Sequence, residues 1–305
     1  MRAVVWRGAG DVRVEDVPEP RLVEPTDALV RVTTSGLCAD DVDAYAIGRR
    51  EPGDQLGHEV MGVVEDVGPD VAGLRPGDRV VVLLRVPGGQ AECVRVPWAD
   101  DVLVPVPPGP PDDRFFYLCD LLPAAWRAVT TAAVPEGGCL VVVGLGVVGT
   151  MAASLARHGR GARVIGVDDL PAHLRRADDR GIETVDASGG SGTDSLHDLV
   201  AERTGGRAPD AVIHAPGGAD LVGAMALVRP GGTVAVASAC GGSTPEAVTR
   251  CAEHLLAELA DGDPIGVEEL ATYRLPLSQA PEAYAVAGRN RRGSVKVLFD
   301  PALAG

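Results

Sequence analysis

Short apolar runs separated by turn residues dominate the first third of the chain. Runs at Ala3–Trp6, Ala28–Thr33, Val60–Val67, Arg79–Leu84 and Ala91–Val96 are rich in β-branched residues. Gly53-Asp54, Gly68-Pro69 and Pro76-Gly77-Asp78 punctuate them. β-branched side chains fit a pleated, half-buried surface, and Gly and Pro end strands, so residues 1–100 predict a small β-rich barrel or sandwich. Residues 102–111 are proline-rich and extended, and a helix is expected over 114–131. From Leu140 the pattern changes. Strands expected at Leu140–Val143, Arg163–Val167, Ala211–His214 and Thr233–Ala237 alternate with helices, among them Leu196–Thr204 and Leu221–Leu227. Strand and helix in alternation predict an α/β fold with a doubly wound parallel sheet. The alternation weakens after about residue 260. There Tyr273–Leu277, a short helix at Pro281–Ala287 and Ser294–Phe299 read as a return to the first domain.

The junction of the first expected strand and helix in the alternating region carries a chemical signal. Gly144, Gly146 and Gly149 form G-x-G-x-x-G between the apolar run ending at Val143 and a helix running from Thr150 to His158. The first glycine permits a tight turn, the second lets a pyrophosphate approach the backbone, and the third lets helix and strand pack closely. The free N–H groups of the helix start would receive the phosphates. Gly144, Leu145, Gly146, Val147, Val148 and Gly149 are therefore candidate cofactor-binding residues. A second apolar run, Ala162–Val167, ends in Asp168, 24 residues after Gly144. That is near the spacing of an acid that binds a ribose 2′-OH.

Composition narrows the classes. A hydrophobic fraction of 46% over 305 residues is ample for a sizeable core. The net charge of −15 argues against a nucleic-acid partner, because phosphate binding needs clustered Lys and Arg, and against an anionic membrane surface, and it reads as a solubility feature. The first residues hold no long apolar run of a signal peptide, and no run reaches the roughly 18 residues of a membrane span. Six cysteines are scattered with no C-x-x-C. Reduced thiols in a cytoplasmic chain are the expectation.

A second constellation lies in the β-rich region. Gly57-His58-Glu59 stands in the middle, Gly36-Leu37-Cys38-Ala39-Asp40-Asp41 upstream and Leu118-Cys119-Asp120 downstream. Cys, His and carboxylate are the ligand types zinc prefers, and three protein ligands with an open fourth position define a catalytic site. Spacing alone is met equally well by a buried thiol and a satisfied histidine.

Together with Gly77-Asp78-Arg79-Val80, Gly88-Gly89-Gln90-Ala91-Glu92, Gly231-Gly232-Thr233 and Leu275-Pro276-Leu277, these motifs run in an order that resembles the zinc-dependent alcohol dehydrogenases of the medium-chain dehydrogenase/reductase superfamily. The resemblance covers nearly the whole chain. It implies a GroES-like catalytic domain from residues 1–121 and 260–305 and a Rossmann domain from 122–259. It places Cys38, His58 and Asp120 at the zinc-holding positions, with Glu59 as the nearby carboxylate that enters or leaves the coordination shell and Cys119 as a neighbouring candidate ligand. It implies hydride transfer between NAD(H) and a small alcohol, aldehyde or ketone, with the zinc lowering the pKa of a substrate oxygen. Asp168, reinforced by Asp169, would repel a 2′-phosphate and favour NAD. Ala215 and, later, Ala237 and Ser238 would line the cofactor at the ends of two later strands. A homodimer through the edge of the nucleotide-binding sheet is the implied assembly.

The chain departs from the family pattern in four places. Only Leu83-Leu84-Arg85-Val86-Pro87 separates Val82 from Gly88, so the lobe that holds a structural zinc is absent and one zinc per chain is expected. Asp40 stands where Ser or Thr often relays the substrate proton, and Asp43 where His often follows. Ala124-Ala125-Trp126-Arg127 replaces the usual Thr-Gly-Tyr-His. Asp40 is then either a direct general base or the N-cap of a helix starting near Asp41. Because these changes cluster at the reacting centre, an alternative also stands: a zinc- and nucleotide-binding relative that runs an elimination or redox-neutral reaction in a biosynthetic pathway.

Overall fold

In the computed structural model, which describes residues 1–48, 50–83, 85–189, 193–215, 221–237, 245–289 and 296–303, the first apolar run pairs with its sequel. Strands β1 (Arg2–Gly8) and β2 (Asp11–Asp16) form an antiparallel hairpin. There follow β3 (Ala28–Leu37), α1 (Ala39–Ile47), β4 (Val60–Val67), β5 (Arg79–Val82), β6 (Cys93–Val96), α2 (Ala99–Val102), β7 (Leu103–Pro105) and α3 (Asp112–Phe116). The alternating region comprises α4 (Leu121–Ala132), β8 (Cys139–Val143), α5 (Val147–Arg160), β9 (Arg163–Asp168), α6 (Pro171–Asp179), β10 (Glu183–Asp186), α7 (Thr193–Thr204), β11 (Ala211–His214), α8 (Leu221–Leu227) and β12 (Thr233–Val236). The chain ends with α9 (Pro245–Asp261), β13 (Ala271–Pro276), α10 (Ala280–Arg289) and β14 (Lys296–Asp300).

Two compact units divide the chain. The first holds Met1–Asp120, Ser243–Asp263 and Val267–Gly305, and the second holds Leu121–Gly242 and Pro264–Gly266. Helix α9 thus groups with the β-rich unit, although the expected boundary at 260 assigned it to the other.

In the first unit a seven-stranded sheet runs β13-β14-β3-β4-β5-β7, with β6 also on β3. Val30, Val32, Val60, Val80, Val82 and Val94 form its buried centre. Strands β3 and β4 are antiparallel, with Ser35 opposite Val60. The end of β3 therefore lies beside the start of β4, which brings Cys38 and His58 together from 20 residues apart in sequence.

In the second unit five parallel strands run β10-β9-β8-β11-β12, the order of a doubly wound sheet. Val141, Val143, Ile165, Val167 and Val212 are buried in its core. Parallel strands are covered on both faces, which is why they read as unbroken apolar runs.

One expected element is broken. The helix anticipated over 114–131 is instead α3, a 3₁₀ turn at Tyr117–Cys119, and α4. At the break, Asp120 has φ −155° and ψ −61°, outside the helical region. Residues 115–120 are all buried, and a straight surface helix exposes one face. The chain turns instead and sinks the whole stretch.

Candidate functional site

Cys38 is the N-cap of α1, with extended backbone angles at the end of β3. Asp41, at the third helical position, accepts the Cys38 backbone N–H through Oδ2 at 3.2 Å. Asp40 is not the N-cap, a place that Cys38 takes because the helix starts at Ala39. Its Oδ2 accepts from Arg85 Nη2 at 2.7 Å, and its side chain is half-exposed.

His58 follows Gly57, whose φ of +87° lies in the left-handed region and whose missing Cβ leaves room for the Gln90 side chain. Gln90 is buried. It donates through Nε2 to the Gly36 carbonyl at 2.9 Å and accepts the Tyr284 hydroxyl at 2.9 Å, while its backbone N–H donates to Leu56. One side chain thus braces the turn before Cys38, and its own backbone braces the turn before His58. The sequence motif around Gly88-Gly89-Gln90 marks this position without showing its role.

Glu59 directly precedes β4 and is fully buried. Its Oε2 pairs with Lys296 Nζ on β14, and its Oε1 has no hydrogen-bond partner. A Cβ at Gly36 would overlap the Glu59 carboxylate and the Phe116 ring and crowd Lys296 Nζ, so the bare glycine makes room for the pair. Burial pulls Lys296 down, but the charge and hydrogen bond of Glu59 together with the Cys38 and Cys119 thiols outweigh it and leave the lysine pKa raised. Lys296 was invisible to sequence reasoning, because a lone lysine in an apolar strand has no local signature.

The four side chains Cys38, His58, Glu59 and Asp120 are 0–6% exposed, and their ligand atoms all lie within 4.8 Å of one another. His58 Nε2 stands 3.5 Å from Asp120 Oδ2. Two ligands of a tetrahedral zinc with bonds of about 2.0–2.3 Å stand roughly 3.3–3.8 Å apart, so the donor set fits the ion in chemistry and spacing. Asp120, carried into the group by the break before α4, stands among these four; Cys119 does not. Burial pushes the Cys119 thiol well above its usual range, and it also raises Cys38, as does the Glu59 charge.

Both imidazole nitrogens of His58 are engaged. Nδ1 faces Asp41 Oδ1 at 3.4 Å, and Nε2 faces Arg85 Nη2 at 2.8 Å. Burial lowers the imidazole pKa, but Asp120, Asp41 and Cys38 outweigh it and push it up to about 12. The Arg85 contact opposes that: a guanidinium only donates, so 2.8 Å requires a neutral imidazole accepting at Nε2. Nε2 stands closer to Arg85, at 2.8 Å, than to Asp120, at 3.5 Å.

In the second unit Gly144 has φ +95° at the end of β8, and Gly146 is the N-cap of α5. A Cβ on Gly149 would run into the Gly144 carbonyl, which is the close helix–strand packing read from the motif. Leu145, Val147 and Val148 complete the turn. Asp168 ends β9. It accepts from Leu145 N at 2.6 Å, Leu170 N at 2.9 Å and His173 Nδ1 at 3.0 Å. Burial would raise its pKa, but these three donors outweigh it and hold the carboxyl below its usual range. Asp169 follows it, half-buried, at the start of the turn into α6. Ala215 lies just past β11, with its N–H on the Val143 carbonyl at 2.8 Å, and Ala237 just past β12. Ser238 lies outside the described residues.

Comparison with known proteins agrees with this geometry. Residues 24–108 match the alcohol dehydrogenase GroES-like domain and residues 147–257 the zinc-binding dehydrogenase domain. A probable zinc-binding alcohol dehydrogenase of Mycobacterium tuberculosis is 31% identical over 342 aligned positions, covering 96% of this chain and 86% of that one. The chain belongs to the zinc-type alcohol dehydrogenases of the medium-chain dehydrogenase/reductase superfamily. A medium-chain reductase/dehydrogenase of an Acremonium species is 31% identical over 82% of this chain and 97% of that one. The solved alcohol dehydrogenase of Thermus sp. ATN1 superimposes with a TM-score of 0.86 at 29% identity, covering 98% of this chain and 99% of that one. As in this family, the β-rich unit is GroES-like and the five-stranded unit is Rossmann-like.

Proposed function

We propose that this zinc-type alcohol dehydrogenase transfers a hydride between NAD(H) and a small alcohol, aldehyde or ketone. The observation that carries the reading is the buried convergence of Cys38, His58, Glu59 and Asp120. Cys38, His58 and Asp120 would hold one zinc, while Lys296 holds Glu59 beside them. Bound zinc supplies Lewis acidity toward a substrate oxygen, and NAD supplies the hydride acceptor.

The chain's own residues do the rest. Asp41 orients the His58 ring from behind. The turn from Gly144 to Gly149 offers backbone N–H groups and a helix start to a pyrophosphate. Asp168 and Asp169 put negative charge where a 2′-phosphate would come, which supports NAD over NADP. Ala215 and Ala237, at the carboxyl ends of β11 and β12, leave room for the nucleotide. Asp40, half-exposed on Arg85, gives a proton a path from the buried cluster to solvent. Strand β12 is an edge of the parallel sheet, with Val236 49% exposed, and edge pairing between two copies is the homodimer we infer. A cytoplasmic location and a small-molecule substrate belong to the same reading; among the described residues no helix is long and apolar enough to cross a membrane.

The test is incubation of zinc-loaded protein with NAD and an alcohol panel, following absorbance of the reduced nicotinamide. Elemental analysis is expected to find one zinc per chain, lost in Cys38→Ala. Turnover of substrate with no net change in the cofactor would favour the redox-neutral alternative.

A further inference from the structure

We propose that Arg85 is a built-in competitor for the metal centre: its guanidinium takes the lone pair of His58 that a zinc ion needs, and steps aside onto Asp40 when the ion binds. This rests on the reading of Cys38, His58 and Asp120 as zinc ligands.

A neutral imidazole has one proton and one in-plane lone pair. Asp41 Oδ1 faces Nδ1 at 3.4 Å, which leaves Nε2 as the nitrogen turned toward Asp120 and Arg85. Arg85 Nη2, 2.8 Å away, uses that lone pair. Asp120 Oδ2 is on the same side of the ring, 3.5 Å from Nε2, so an ion shared by His58 and Asp120 must bond to the same nitrogen. Guanidinium and ion therefore exclude each other at Nε2, and their like charges reinforce the exclusion. The alternative anchor already exists, since the same Nη2 is 2.7 Å from Asp40 Oδ2. Both side chains of that pair are partly solvent-exposed, 34% for Arg85 and 52% for Asp40, so the arginine can leave His58 without losing its carboxylate.

Removing the competitor should tighten metal binding, and removing its alternative anchor should weaken it. Zinc affinity is measured by competition with a chromophoric chelator on metal-stripped wild type, Arg85→Ala and Asp40→Asn. Arg85→Ala should bind zinc about tenfold or more tightly, the scale of one charge-assisted hydrogen bond, and load it faster. Asp40→Asn should bind it more weakly. Equal or weaker zinc affinity in Arg85→Ala, with wild type binding zinc, overturns the competitor role and leaves the metal centre standing. Zinc bound by neither protein overturns both. If Arg85→Ala does not fold, ¹⁵N-histidine spectra of metal-free wild type decide. An Nε2 that accepts a hydrogen bond supports the proposal, and a doubly protonated ring refutes it.

Discussion

Asp41 ties two candidate zinc ligands together: its Oδ1 lies 3.4 Å from His58 Nδ1, while its Oδ2 accepts the Cys38 backbone N–H at 3.2 Å. A carboxylate behind a ligating histidine fixes the ring's tautomer and orientation, and losing it commonly costs about 10–100-fold in metal affinity. Asp41→Asn keeps the shape and removes the charge. Zinc affinity, measured by chelator competition, should fall by about that factor while the far-ultraviolet circular dichroism stays unchanged.

The Glu59–Lys296 pair predicts an asymmetric stability series. Both side chains are buried, 0% and 3% exposed, and Lys296 also lies 5.6 Å from the centre of the Phe116 ring. Removing one partner leaves an uncompensated buried charge, at about 3–5 kcal/mol. Lys296→Met should lower the urea unfolding free energy by about that amount. Adding Glu59→Gln to it should restore a large part, because the second change removes the orphaned charge. A double variant no more stable than Lys296→Met would contradict this account.

Gly149 has no room for a methyl group against the Gly144 carbonyl. Gly149→Ala must push α5 away from β8, at about 1–3 kcal/mol for an overpacked site. The turn that would cradle the pyrophosphate moves with it. Calorimetric titration should show NAD affinity reduced about tenfold or more, since a shift of about 1.4 kcal/mol is already tenfold, while the zinc content is retained.

Asp168 links nucleotide choice to acid stability. Its folded pKa is lowered against burial by His173 and the Leu145 and Leu170 N–H groups. A lowered folded value means a contribution fully present above the unfolded pKa of about 3.9 and lost as pH falls through the folded value. In urea melts taken from about pH 5 down to about pH 3, wild type should lose stability more steeply than Asp168→Asn. In binding assays at neutral pH, the same variant should narrow the preference for NAD over NADP.

The sequence pattern already located most of the elements. Ala211–His214, Leu221–Leu227 and Val60–Val67 lie where the periodicity puts them, because unbroken apolar runs and their bounding turns are local properties. Strand β10 escaped notice: one of its four residues is fully buried, so no apolar run marks it. Helix α9 escaped too, with charged residues interleaved among its apolar ones.

By itself the sequence determined the fold class, the glycine turn at Gly144–Gly149 and the residue types able to hold a metal, since each depends on short-range pattern and side-chain chemistry. The tertiary structure alone decided which of those residues meet. The antiparallel register of β3 and β4 joins Cys38 to His58, and the broken helix at Asp120 brings in the third candidate ligand. The same structure revealed Asp41 behind His58, Lys296 against Glu59 and Arg85 at Nε2. Lys296 reaches its partner from 237 residues away and Arg85 from 27. Such pairings depend on distances of a few ångströms set by strand register and buried packing, which no local pattern along a chain encodes.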